Sequence, residues 1–369
     1  MLYIPVDYLK PGMVLSKNLY FEIGVLPLLT SGQTLTAAHI KKIRQKAIPG
    51  LYVESDGSRD IVIDDCISEE TRNKALIGIK NLFDDYSESH SRTVANLTEV
   101  ASLAGELVDG VFRSDNILIN LIDLKSHDDY TYKHSLRVAL LSISIGMKLQ
   151  LTSDQLNEIA LSALLHDVGK TMISSEILNK PAKLTRSEFD IMKTHPAVGA
   201  DTLRKRHAFS GGILMGVESH HERFDGTGYP KGLHGDKIPL YGKILAVADV
   251  YDALTSNRPY RRANFPSEAI EYMMACADTH FDMEVLSAFL KIVSVYPSGT
   301  IVDLSNGQTA VVVENHIENI LRPTVRLLNA PEDITRDIDL LNDSRYMNVT
   351  IVGMGYSEED VNSAAGINT

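Results

Sequence analysis

Tryptophan is absent from this 369-residue chain, and cysteine occurs twice, at Cys66 and Cys276. Two cysteines so far apart, with no Cys-x-x-Cys spacing, exclude a disulfide framework and a cysteine-based zinc module. A reducing, cytoplasmic setting is expected. No stretch nears the ~18 apolar residues of a membrane span, and Met1-Leu2-Tyr3-Ile4-Pro5-Val6-Asp7 lacks the basic start and apolar run of a signal peptide. Positive charge is in the minority, with 36 Lys and Arg against 48 Asp and Glu and a formal net charge of −12. That balance argues against duplex DNA, RNA or an anionic membrane as partner, so an anionic ligand must be met by local charge. Arg204-Lys205-Arg206 lacks interleaved aromatics and reads as a solvated helix face. What is present, 44% apolar and 23% charged residues, suffices for a buried core and rules out wholesale disorder. The length corresponds to two or three modules.

Residues 1–66 show short apolar runs broken by Pro-Gly and Ser-Gly turns, which predict a β-rich regulatory module. It includes a helix near Ala37 to Gln45 and a closing strand, Gly50 to Val53. Residues 67–94 have the polar, acidic composition of a helical connector. From 95 to 296 the pattern is helical, with N-terminal signals at Thr152-Ser153-Asp154-Gln155 and Thr185-x-x-Glu188. Strand-like runs return over 297–355, where Ser305-Asn306-Gly307-Gln308 marks a hairpin, and 356–369 reads as a flexible polar tail. The expected class is α+β: an all-α domain flanked by small β-rich N-terminal and C-terminal modules. The sequence leaves open whether the strands from Gly299 to Val352 pair back onto the N-terminal module, a small β domain shared by the two chain ends being the hypothesis to test.

Eight of the twelve histidines fall between residues 127 and 234, a concentration that suggests metal. His134 shares a helical stripe with Val138, Leu141 and Ile145, while His166 and Asp167 end a stripe carrying Leu156, Ile159, Ala160 and Ala163. Polar groups aimed at a core need partners, because desolvating them alone costs several kcal/mol. His195 and the pair His220-His221 sit at helix junctions, the latter before a glycine-rich loop, and Asp249 and Asp252 lie one helical turn apart. Several imidazoles with two or more carboxylates suit Mn, Fe or Zn better than Mg or Ca, and two such ions sharing a carboxylate and a hydroxide suit phosphoester hydrolysis. Singly, a His-Asp dipeptide or a Gly-Thr-Gly-Tyr-Pro turn says little. Their joint occurrence carries the signal.

His166-Asp167-Val168-Gly169-Lys170 together with His220-His221-Glu222-x-x-Asp225-Gly226-x-Gly228-Tyr229-Pro230 resembles the HD-GYP family, the HD-domain phosphohydrolases that hydrolyse cyclic dinucleotides. The resemblance extends from Tyr130-Thr131-Tyr132-Lys133-His134-Ser135 to Ala248-Asp249 and Arg258-Pro259-Tyr260-Arg261, covering roughly residues 95–295. It implies metal ligation by His134, His166, Asp167, His195, His220, His221 and Asp249, with Asp167 bridging two ions. Fe or Mn is implied first, Zn or Ni second. The Glu that supports a third ion in some members is here Tyr130, so two ions are expected. Phe281-Asp282-Met283 also departs from the family's usual Phe-Asp-Pro. Lys170 and Asp167 are implied as catalytic, the lysine ammonium resting on a phosphate oxygen. Tyr229, Asp252, Arg258, Arg261 and Asp128 are implied as substrate contacts, the arginines gripping a distal phosphate or a guanine face.

The leading functional expectation is hydrolysis of cyclic di-GMP to pGpG, and onward to GMP, in bacterial second-messenger signalling. The alternatives are 3′,3′-cyclic GMP-AMP as substrate, or a non-catalytic receptor for a cyclic dinucleotide. A broader phosphohydrolase acting on nucleoside triphosphates or guanosine tetraphosphate fits the Gly-Tyr-Pro loop and the Arg-Pro-Tyr-Arg segment poorly. The resemblance also implies a homodimer.

Overall fold

The computed structural model describes residues 1–20, 27–46, 48–63, 66–87, 93–114, 130–180, 182–206, 209–256, 263–328 and 337–365. In chain order come β1 (Leu2–Pro5), α1 (Ala37–Gln45), β2 (Gly50–Val53), α2 (Glu69–Ser87), α3 (Thr93–Arg113), α4 (Tyr130–Lys148), α5 (Ser153–Leu165) and α6 (Ser175–Leu178). Then follow α7 (Arg186–Met192), α8 (His195–Arg206), α9 (Gly211–Ser219), α10 (Leu240–Thr255), α11 (Pro266–Ala275) and α12 (Met283–Leu290). The last elements are β3 (Ile301–Leu304), β4 (Thr309–Glu314), β5 (Thr324–Leu327), β6 (Asp337–Asp339), β7 (Ile351–Met354) and α13 (Glu358–Ala365). They divide into two compact units.

One unit takes in both chain ends, residues 1–65 and 293–369. β1 and β2 pair antiparallel, Leu2 opposite Val53 and Ile4 opposite Leu51. The C-terminal strands form a separate antiparallel sheet in the order β6-β5-β4-β3-β7. The two sheets share no ladder, yet they share a core. Strand alternation sends Ile301 and Val311 to the side of Leu2, Ile4, Leu15, Leu35 and Ile43, while Val302, Ala310, Val312 and Val325 face the other way. The main-chain N–H of Tyr3 donates to Gly299 O at 2.8 Å, and Arg326 pairs with both Asp60 and Asp337. The expected hairpin forms at Asn306-Gly307, where Gly307 takes a φ of +82° that suits glycine. The stretch from 356 is not a flexible tail as far as it is described. Tyr356 hydrogen-bonds Tyr3 O, and α13 buries Val361 and Ala364 in the same core, because its apolar residues repeat at helical spacing.

The other unit is helical and spans α2 to α12. Within the stretch expected as a helical connector, α2 packs as part of this unit. Ala75, Leu76, Ile79, Leu82, Phe83 and Tyr86 form a buried stripe on α2, which packs on α3 and α4. α4 is buried on all sides from Lys133 to Gly146 and lies against α5, α10 and α12. Both anticipated capping boxes are present, Thr152 with Gln155 on α5 and Thr185 with Glu188 on α7. No helix among the described residues is long and apolar enough to cross a membrane.

Candidate metal centre

Five elements deliver the site. His134 projects from α4, His166 and Asp167 follow the end of α5, His195 opens α8, His220 and His221 follow α9, and Asp249 lies on α10. A close backbone approach sets their spacing. A Cβ on Gly169 would lie 2.0 Å from His195 O, and one on Gly199 would lie 3.0 Å from Gly169 N. Only glycine lets the turn after Asp167 press onto α8, which brings Asp167 Oδ1 to 3.4 Å from His195 Nε2.

The seven side chains converge in two halves joined by Asp167. In one, His134 Nε2 stands 3.2 Å from His166 Nε2 and 3.2 Å from Asp249 Oδ1, with Asp167 Oδ2 3.4 Å from His166 Nε2. In the other, His195 Nε2 stands 3.2 Å from His220 Nε2, and the ring of His221 lies 4.2 Å from that of His220. The Nδ1 atoms of His166, His195 and His220 face the carbonyls of Ala163, Met192 and Val217 at 2.7, 2.8 and 2.7 Å. His134 Nδ1 faces Asp252 Oδ2 at 2.6 Å. Each of these Nδ1 atoms must carry the proton, because its partner can only accept. In a neutral ring each Nε2 is then a bare lone pair, and two lone pairs at 3.2 Å repel unless a cation lies between them. Among the described residues the metal-competent groups are His134, His166 and Asp167, and His195, His220 and His221. The donor set fits two divalent ions with nitrogen and oxygen ligands.

For His220 and His221 the electrostatics favour the neutral ring. Burial, then the neighbouring imidazoles, hold His220 well below the usual imidazole range, and burial pushes His221 down to about 3 against the pull of Asp249. Burial works to raise Asp167, yet its carboxyl is held well below the usual carboxylate range, with the Lys170 ammonium among the neighbours that favour the ionised form. Asp249 is likewise held well below that range despite its burial. Neutral imidazoles and charged carboxylates are the protonation states that bind metal.

The remaining expected residues fall into three groups. Lys170 Nζ contacts Asp167 Oδ2 at 2.6 Å, and the ring of Tyr229 lies 4.8 Å from that of His221, so both stand at the cluster. Asp252, expected near the base or the metal shell, is fully buried against His134 and held by Arg137 and Ser256, the metal-shell side of that expectation. Asp128, Arg258 and Arg261 lie outside the described residues.

Two residues given no role in the sequence reading belong to this architecture. Arg137 is 1% exposed on α4 and pairs with Asp252. A lone arginine one turn after His134 in an otherwise apolar run was the available signal, since a buried guanidinium requires a buried partner. Glu222 is 2% exposed, and its two oxygens accept the N–H groups of Lys231 and Leu233 at 2.8 and 2.9 Å. Tyr229 N donates to His221 O at 3.1 Å, and Asp225 accepts from Thr227, so the glycine-rich loop is tied to the end of α9. Met283, at the departure from the family pattern, costs no capping bond: Asp282 still accepts from Glu284 N and Val285 N at the start of α12.

A family model described as an HD domain matches residues 116–285. A cyclic di-GMP phosphodiesterase of Pseudomonas aeruginosa is 34% identical over 353 residues, covering 88% of this chain and 84% of that protein. One of Thermotoga maritima is 38% identical over 51% of this chain and 50% of its own length. A 3′3′-cGAMP-specific phosphodiesterase of Vibrio cholerae is 37% identical over 48% of this chain and 38% of its own length. With two His and Asp groups able to hold metal and a relative similar across most of both chains, this chain belongs to the HD-GYP family of HD-domain phosphohydrolases.

Proposed function

We propose that the protein is a metal-dependent phosphodiesterase that opens cyclic di-GMP to pGpG. The observation that carries this reading is the facing of Nε2 atoms, His134 against His166 and His195 against His220, around one shared carboxylate. Similarity to a cyclic di-GMP phosphodiesterase over 88% of the chain supports the substrate class. His134, His166, Asp167 and Asp249 would hold one ion and Asp167, His195, His220 and His221 the other, Fe or Mn ahead of Zn or Ni. Bound divalent ions of this kind supply Lewis acidity and a hydroxide nucleophile near neutral pH.

The chain's own groups do the rest. Hydrolysis adds one water across a P–O3′ bond and leaves a 5′-phosphate and a free 3′-hydroxyl. Lys170 is half-buried, with its ammonium on Asp167 in the free protein. It transfers that contact to a non-bridging phosphate oxygen as charge builds there, the kind of stabilisation worth about 10²–10³ in rate. Tyr229 stays protonated, since burial and the nearby Asp249 and Asp167 raise its pKa, and its hydroxyl serves as a hydrogen-bond donor beside the phosphate. Arg258, Arg261 and Asp128 are assigned to the distal phosphate and bases by resemblance alone. Similarity to a 3′3′-cGAMP-specific enzyme favours that nucleotide as the second substrate to test.

The test is anaerobic purification, metal quantification and chromatography of each nucleotide separately, with His166→Ala/Asp167→Ala as control. Turnover of cyclic di-GMP by the wild type alone, with about two ions per chain, is the expected result. Tight metal binding without turnover of either nucleotide would assign a receptor role instead.

A further inference from the structure

The ligand imidazoles are not supported alike. His166, His195 and His220 each donate Nδ1–H to a neutral main-chain carbonyl three residues back. His134 donates to a carboxylate, Asp252, both of whose oxygens Arg137 grips, and both side chains of that pair are at most 1% exposed. Asp249 and Asp252 stand one turn apart on α10 and bracket the same ring, one at Nε2 and one at Nδ1. A carboxylate acceptor fixes the ring's orientation and raises the basicity of the opposite nitrogen more than a carbonyl does. Asp249 also turns its nearer oxygen to His134, at 3.2 Å, and its other to His221, at 3.7 Å.

We propose that the two metal positions are inequivalent and that the Arg137–Asp252 pair makes the position served by His134 the tighter one, filled first when ions are scarce. This rests on the two-ion reading above. Arg137 and Asp252 are positioning residues, acting through His134. Two opposing charges are weaker than this effect. Lys170 sits on Asp167, which both positions share, so it weakens both. Arg137 is paired with both oxygens of Asp252, so its field at the ring is offset by that carboxylate.

The experiment is a calorimetric titration of chelator-stripped full-length protein with Mn(II), repeated with Co(II) to read each site's visible spectrum. Arg137→Gln/Asp252→Asn replaces the buried ion pair with a neutral amide pair, and Asn can still accept from His134 Nδ1–H. The expected result is two resolved steps in the wild type. In the double variant the tighter step weakens about ten- to a hundredfold and the weaker step is unmoved. His195→Ala should remove the weaker step and leave the tighter one. If circular dichroism shows the double variant unfolded, Ser256→Ala decides, because that hydroxyl contacts both Arg137 and Asp252. It should weaken the tighter step alone, and an unchanged tighter step overturns the proposal. Equal weakening of both steps in the double variant overturns it, as does a wild type with two indistinguishable affinities, which leaves the two-ion reading standing. A wild type that takes up a single ion overturns both.

Discussion

Asp167 is the residue on which the site turns: one oxygen faces the His134–His166 half, the other faces His195, and Lys170 rests on the first. Its replacement together with His166 should abolish metal uptake, measured by elemental analysis, because both halves lose a ligand. Lys170→Ala should keep about two ions per chain while kcat falls about 10²–10³-fold, since the ammonium is assigned to the transition state rather than to the ions. Loss of metal in that variant would move Lys170 to a structural role. The seven residues proposed as ligands could be named from sequence, because metal chemistry restricts the residue types and the motifs hold them at helix ends. The partner of Arg137 was not legible. Arg137 and Asp252 lie 115 residues apart, and nothing local in either helix names the other.

Elements set how accurately those residues meet. The turn after Asp167 touches α8 through Gly169 and Gly199, a contact that leaves no space for a methyl group. Gly169→Ala should cost roughly 1–3 kcal/mol by overpacking, and it should lower metal content, since the strain falls on His195 itself. Thermal melting and metal analysis of one preparation would check both. The glycine-rich loop depends on Glu222 in the same way. Glu222→Ala leaves the N–H groups of Lys231 and Leu233 without their acceptor. Faster amide exchange over residues 226–233 is expected, with a raised KM and retained metal; unchanged exchange would show that the loop is held by other bonds. Caps and turns were readable in sequence because their hydrogen bonds close within a few residues, as at Thr152, Thr185 and Asn306-Gly307. Glu222 was quoted within a motif and given no role, since the N–H groups it accepts are nine and eleven residues away across a loop.

On the scale of the whole molecule, the unit formed by the two chain ends depends on residues far beyond its N-terminal strands. Deleting residues 356–369 removes Val361 and Ala364 from its core and Tyr356 from Tyr3. Each fully buried aliphatic side chain contributes about 1.5–3 kcal/mol, so the truncated chain should melt earlier than the full chain in calorimetry. Stability of the metal-free protein should also fall with acid. Burial depresses His221 to about 3 and His280 to about 4, from 6.5 in the open chain. Between pH 6.5 and those values the unfolded chain binds protons that the folded chain does not, so unfolding free energy rises with pH across that window and is lost on acidification. Urea melts in chelator at pH 7.5 and pH 5 would show it as a lower midpoint at pH 5. By itself the sequence determined the helical and strand-rich stretches, the caps and turns, and the inventory of ligands, because each rests on periodicity, short-range hydrogen bonding or the chemistry of single residues. Only the tertiary structure decided which candidate ligands face one another, that Asp252 meets His134 and Arg137, and that the last described helix completes the core of the first strands. Those outcomes depend on packing between segments from 25 to 353 residues apart, where local pattern exerts no constraint.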